Sequence, residues 1–460
     1  MVDLQGGAQA MTTVAEALAD ACIAARVSPA MEAVAEDLLV DIAGICVAAR
    51  GTGFMRAARA GVDEGGPCTA IGLAGSFAPA DAALLNGTAA HGEDFDDTYE
   101  GGPVHAGAVV LPAVLAAAER HGIAGTTARR AIAIGAEVTC RLSEVVPKAV
   151  HKAGFHPTAV FGAIGAAAAA SVAIGLPRER LVAAMGIAGS MASGIIEYLA
   201  EGAWTKRMHP GWAAQGGYRA ARLAAGGFSG PRTLFEGTHG LFNGFAHSRP
   251  SDWSALLDGF GRGWAAETIA FKPHACGTMI HPYIDCAIRL RARGIDPERI
   301  ASILCETSDG ILHRLWEPIE AKRKPPNGYA AKFSIPYGIA AGLVLGHAGL
   351  AAFEDAVATD PRLVAVARKV SYVVDPANPY PRRFTGHLRV EMADGSVVEE
   401  RQPHFRGGAA VRLPRAELEE KFLLNCRHGG WDEARAGALL GFARSALSSP
   451  SPVSLAAFGG

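Results

Sequence analysis

Residues 159–177 read AVFGAIGAAAAASVAIGLP, a stretch with no charged side chain, composed mostly of alanine and glycine. Its length approaches that of a membrane-spanning helix. Alanine and glycine gain little from lipid, however, and the run is bracketed by His156-Pro157 and by the charged turn Arg178-Glu179-Arg180. It is therefore expected to be a buried helix whose small side chains let other helix axes approach closely, in the middle of a helical domain.

The rest of the chain divides around that element. At 460 residues it exceeds what one hydrophobic core usually supports, so two domains are expected. From Met11 to about Leu256 the pattern is helical, with apolar residues at three and four spacing over 31–49 and 109–119. His121-Gly122-Ile123-Ala124-Gly125 ahead of Thr126-Thr127-Ala128 reads as a helix end followed by a new N-cap. After about Phe271 short β-like runs (303–306, 370–374, 387–402) alternate with helical ones such as 280–293. Within HLRVEMADGSVVEERQ, Asp394-Gly395 suits a type I′ hairpin turn. Helical pattern returns after Gly408, in a segment opening at 413–417 and running through Cys426 and another over 431–447, which allows the C-terminus to rejoin the helical domain. The expected fold is mainly α: residues 1–270 and 408–460 all-α, residues 271–407 α+β.

Composition excludes several function classes. The formal charge of −2, from 43 basic and 45 acidic residues, gives no footprint for nucleic acid or an anionic membrane surface. Eight cysteines occur without a CxxC, and MVDLQGG lacks the basic and apolar regions of a signal peptide, so reduced thiols and a cytoplasmic location are expected. There is no GxGxxG after a strand, no Walker loop, no GxSxG and no HExxH.

Chemistry concentrates in a few places. Residues 86–105, NGTAAHGEDFDDTYEGGPVH, hold two histidines and five acids. If the segment is helical through Thr98, then His91, Asp94 and Thr98 share one face at i, i+3 and i+7, Asp96 and Asp97 point elsewhere, and His105 follows a Gly101-Gly102-Pro103 turn. His156, in GFHPT, stands at the mouth of the alanine-rich helix, where a helix N-terminus and a dry core can tune its proton affinity. TKRMHPG places Lys206, Arg207 and His209 together, a cluster suited to a carboxylate or phosphate. FKPHAC carries Lys272 and His274 at the domain boundary, followed by His281 and Asp285 four residues apart. Taken singly, each has a bland alternative: a hydrogen-bonded histidine, a solvated helix end, a solvated basic face. Lys322-Arg323-Lys324 reads as an exposed loop without a role.

LLNGTAAHGEDFDDTYEGGPVHAG, GFHPTAVFGAIGAAAAA, KRMHPGWAAQGG, FKPHACGTMIHPYIDCA and AKFSIPYGIAAGL, in this order, resemble the MmgE/PrpD family over nearly the whole chain. The family includes 2-methylcitrate dehydratase, cis-aconitate decarboxylase and iminodisuccinate epimerase. The resemblance implies a cofactor-independent homodimeric enzyme with no metal, acting on a small di- or tricarboxylate. Its fold would be an all-α domain built from both ends of the chain with an inserted α+β lid. It places Asp94, Thr98, His105, His156, Lys206 and Lys272 in the cleft, with His91 adjacent. Ala106 after His105, where proline is frequent, and His274-Ala275, in place of a common Tyr-Pro, mark departures that bear on which acid is bound. The expected roles are His156 as base, His105 with Asp94 and Thr98 as proton donors, and Lys206, Lys272, His91, His209 and His274 as substrate-binding groups. Dehydration is the first expectation, with decarboxylation and epimerisation beside it. A magnesium enzyme using Asp94, Asp96 and Asp97 and a non-catalytic helical binding protein are the rivals from other classes.

Overall fold

A computed structural model describes residues 12–460; the readings that fall on Met11 and MVDLQGG lie outside the described residues. The alanine-rich run forms the helix Pro157–Ala173, opened by a proline in its first turn and buried along nearly its whole length. Around it pack Ala106–His121, Gly125–Val145 and Thr205–Ala225, and the last of these also lies along Pro79–Gly92. The small residues make this packing possible. A Cβ on Gly217 would stand 2.4 Å from the Cβ of Ala166, and one on Gly87 would stand 2.5 Å from the Cα of Gly211, so either substitution would force helices apart. Among the described residues no single helix is long and apolar enough to cross a membrane, and the one pair passing that test together bends by 91°.

Gly122 ends the Ala106–His121 helix at φ 64, but the next helix, Gly125–Val145, begins earlier than the Thr126 cap predicts and has no side-chain cap. The C-terminal segment explains this. The N–H groups of Gly125 and Thr126 donate to the carbonyls of Ser451 and Ser449, so passing backbone satisfies the helix end in place of a threonine hydroxyl.

Beyond residue 271 a four-stranded sheet appears, in the order Val370–Val374, Ile300–Thr307, Gly386–Met392, Val397–Gln402. The first pair is parallel, with Ile303 opposite Val370, and the other pairs are antiparallel. Helix His281–Ala292 covers this sheet and packs on Ile335–Val344. The Asp394-Gly395 hairpin forms, but not with a type I′ turn: only Gly395, at φ 82, is left-handed. Gly395 N–H donates to Met392 O and Met392 N–H to Ser396 O, the pattern of a three-residue loop closed by a bulge.

Buried apolar residues fall into two large cores, beside a small cluster around Val109, Ala163 and Ala213. One gathers residues from 15 to 271 together with 418 to 458; the other gathers 275 to 392, joined by Ile45, Ala48 and Phe95. Helix Arg415–His428 packs on Pro29–Ala49 and so belongs to the first.

Candidate active site

The predicted single face does not exist. Helix Pro79–Gly92 stops before Asp94, whose φ of 56 lies in the left-handed region, and Thr98–Tyr99 is a strand paired with Ile269–Ala270. The stop has local causes. Asp94 N–H turns back onto His91 O at 3.0 Å, and aspartate is one of the few residues other than glycine that enters this conformation at modest cost. The turn nevertheless keeps His91 and Asp94 together and swings Asp96 inward, where it receives His91 Nδ1 at 2.7 Å. Asp96 and Asp97, placed elsewhere by the helical reading, are thus part of the site.

Lysines from two other elements close on Asp94. Lys206 comes from the first turn of Thr205–Ala225 and donates to Asp94 Oδ1 at 3.1 Å. Lys272, just beyond the short strand Ile269–Ala270, donates to the same oxygen at 3.2 Å and to the Asp94 carbonyl at 2.9 Å. Burial opposes the charge on Asp94, but Lys206 and then Lys272 outweigh it and hold the carboxyl well below the usual range. Lys206 is correspondingly raised, Asp94 overcoming the effect of burial. Two ammonium groups share one carboxylate, and the nearby Asp96 also acts on both of them.

Four imidazoles stand beside the lysines. The ring centroids of His91 and His105 are 4.7 Å apart, His91 and His156 5.6 Å, and His156 and His209 5.4 Å. His105 Nδ1 lies 2.6 Å from the carbonyl of Asp97; a carbonyl only accepts, so Nδ1 carries the hydrogen and Nε2 keeps its lone pair. His91 donates Nδ1 to Asp96, and its buried Nε2 meets no protein partner. His156, the N-cap of the alanine-rich helix, shares a hydrogen with His209 through their Nδ1 atoms at 3.2 Å. Burial pushes His105 down to about 3 and His209 down to about 4. It also takes His156 well below the ordinary value, with His91 and Lys206 adding to the effect. All three are neutral bases at neutral pH.

The acids split in the opposite sense. Asp96 is lowered because His91 and His105 overcome its burial, whereas burial and then Asp96 push Asp97 up to about 8. Asp97 accepts the Gly107 N–H at 3.0 Å and is a neutral acid at pH 7. A base set and an acid thus lie within one buried cluster.

Ring nitrogens of His91, His105 and His156 lie within 4.8 Å of one another and could gather on a metal ion after drawing closer, since tetrahedral zinc needs roughly 3.3 Å between nitrogens. The three aspartates do not form a magnesium cluster. Asp94 is spent on lysines, Asp96 on His91 and Asp97 on a backbone N–H.

Two predicted residues stand apart. Thr98 is buried in the small strand pair, and His274 turns to Asp285 at 3.0 Å, away from the imidazole cluster. Other residues escaped the sequence reading. Tyr198 lies 6.3 Å from His156 and 5.8 Å from His209, ring to ring, and nothing in its surroundings in the sequence marks it. Lys332, within the motif AKFSIPYGIAAGL, donates to the carbonyl and carboxylate of Glu93, both at 2.6 Å. A cavity of about 310 Å³ opens next to Glu93 and Arg207, the chain neighbours of Asp94 and Lys206, and is lined also by Tyr329, Lys332, Phe353 and His428. The four clustered imidazoles lie outside its lining.

Family models bear on this arrangement. Residues 14–254 match the MmgE/PrpD N-terminal domain and residues 274–439 the MmgE/PrpD C-terminal domain. The chain belongs to the MmgE/PrpD family. A cis-aconitate decarboxylase-like protein, oryM, of Aspergillus oryzae is 29% identical over 358 residues, 73% of each chain. The cis-aconitate decarboxylase of Mus musculus is 30% identical over 362 residues, 75% of this chain and 72% of that one. A 2-methylcitrate dehydratase of Cupriavidus necator is 32% identical over 136 residues, 27% of each. The protein is an enzyme of the lyase class, as these relatives are.

Proposed function

We propose that the protein removes CO₂ from a small unsaturated tricarboxylate of the cis-aconitate kind. The observation that carries the reading is the pair of lysines on a single carboxylate, Lys206 and Lys272 on Asp94, beside imidazoles with free lone pairs. Substrate carboxylates would bind the two ammonium groups by charge-assisted hydrogen bonds. Their negative charge would raise the proton affinity of the neighbouring histidines, so that a proton enters with the substrate. Breaking the carbon–carboxylate bond leaves an electron pair delocalised toward a remaining carboxylate. The lysine ammonium groups stabilise that charge, and His105 or His156, protonated on binding, returns a proton to carbon.

Decarboxylation is preferred to the dehydration first expected because the decarboxylase relatives align over about three quarters of the chain and the dehydratase over 27%. Dehydration stays the second reading, favoured by Asp97 as a neutral acid able to protonate a leaving hydroxyl. A homodimer belongs to the same proposal. Met208 and Trp212, one turn apart on Thr205–Ala225, are exposed apolar side chains, and sedimentation would test whether a second copy covers them.

One experiment separates the reactions: incubation in D₂O with cis-aconitate, 2-methylcitrate and iminodisuccinate, followed by NMR. CO₂ release from cis-aconitate with deuterium incorporated in the product is expected. Water loss from methylcitrate alone would move the assignment to dehydration, and silence across the panel would defeat the reading.

A further inference from the structure

The chain passes between its two cores twice. On the way out Phe271 belongs to the first core and Ala275 and Cys276 to the second; on the way back Met392 belongs to the second and Leu418 to the first. The two crossings touch. Phe271 N–H donates to Gly407 O at 3.0 Å, and Gly407, at φ 101, has no room for a side chain because a Cβ there would meet Phe271 O at 2.0 Å.

Lys272 lies on the outgoing crossing, and its ammonium reaches back to Asp94 in the first core. The anchor of that crossing comes from the second core. Asp285, on the helix His281–Ala292, accepts from His274 Nε2 at 3.0 Å and from Arg406 Nε at 3.1 Å, both on Oδ1. A single oxygen therefore grips the outgoing crossing through His274 and the returning one through Arg406. Arg406 continues to Glu417 on the helix Arg415–His428. His281 accompanies this clasp, its ring 5.1 Å from that of His274 and its Nε2 on the carbonyl of Cys276 at 3.2 Å.

The clasp matters because Lys272 is held so tightly. Its side chain is 1% exposed, and small misplacements of a positioned charge are costly: about 1 Å can cost a hundredfold in rate. We infer that Asp285 is a positioning residue for Lys272, setting through His274 and Arg406 the place where the Lys272 ammonium meets Asp94 and the substrate. The contact with substrate rests on the proposed function. The placement of the lysine can be tested without it.

Trace labelling of lysines with acetic anhydride, read by mass spectrometry, compares the unaltered protein with Asp285→Asn. Lys421, another buried lysine, paired with Asp41 at 2.6 Å in the first core, is the internal reference. Labelling of Lys272 should rise about tenfold while Lys421 stays constant, because local loosening exposes only the groups it frees. A parallel rise at both lysines would mean general destabilisation and would overturn the inference, as would no change at either. Should Asp285→Asn not fold, Arg406→Gln, which cuts one link of the clasp, carries the same expectation. On a substrate that the unaltered enzyme turns over, kcat/KM of the folded variant should fall at least about tenfold. Absence of turnover by the unaltered enzyme would count against the proposed decarboxylation and leave the labelling result standing.

Discussion

Two buried places bring lysine and aspartate together, and they are built differently. Lys421 and Asp41 meet one to one at 2.6 Å, and Lys421 also donates to the Phe95 carbonyl at 2.8 Å and stands 3.8 Å from the centre of the Phe95 ring. Burial dominates both partners, pushing Asp41 up to about 6 and lowering Lys421. At Asp94 two lysines face one carboxylate, and attraction dominates instead. A balanced pair fastens Arg415–His428 to Pro29–Ala49. The shared one leaves ammonium N–H groups that a ligand carboxylate could accept from.

The largest expected effect separates the two directly. Lys272→Met or Lys206→Met should reduce turnover about a thousandfold with little change in melting temperature, because Asp94 keeps its other lysine. Equal losses of stability and turnover would erase the distinction. Lys421→Met should do the reverse, costing about 3 kcal/mol of stability by stranding Asp41 while leaving the turnover of folded protein near normal. Asp41→Leu combined with Lys421→Met should recover most of that loss in a denaturant titration; failure to recover would mean the pair does more than fasten helices.

A smaller effect concerns pH. An unfolded histidine gains its proton as pH falls through about 6.5, but folded His105 and His209 hold out to about 3 and about 4. Stability from these rings is full above pH 6.5 and is lost progressively below it. Asp97 runs the other way: folded it keeps its proton up to about 8, unfolded it releases it near 4, so its contribution fades as pH rises between those values. Together they place a stability maximum near pH 6.5. Melting curves from pH 4 to 9 would check this, and a monotonic profile would show that other groups govern it.

Much of the fold was legible because it depends on composition. The run 159–177 is buried along nearly all of its helical part, which ends at Ala173, and small residues permit close packing, as Gly217 against Ala166 shows. The Gly125 helix start was misread because the groups that satisfy it come from Ser449 and Ser451, far along the chain. The same reason explains the site. His91, His105, His156, His209, Lys206 and Lys272 were recognisable as residue types in suggestive motifs, yet the helical face drawn through Asp94 and Thr98 was wrong. A left-handed aspartate leaves no periodic signal. Asp96 falls off the helical face for that reason, and the pairing of His274 with Asp285 forms only once the Phe271 crossing is folded.

Asp94 is selected twice. Its side chain must carry a negative charge between two ammonium groups, and its backbone must accept φ 56. Glutamate retains the charge but suits that backbone poorly; asparagine and glycine suit the backbone but lack the charge. Each neighbouring choice in sequence space thus fails one requirement, so this position has little room to drift, and relatives that differ here should differ in the surrounding turn as well.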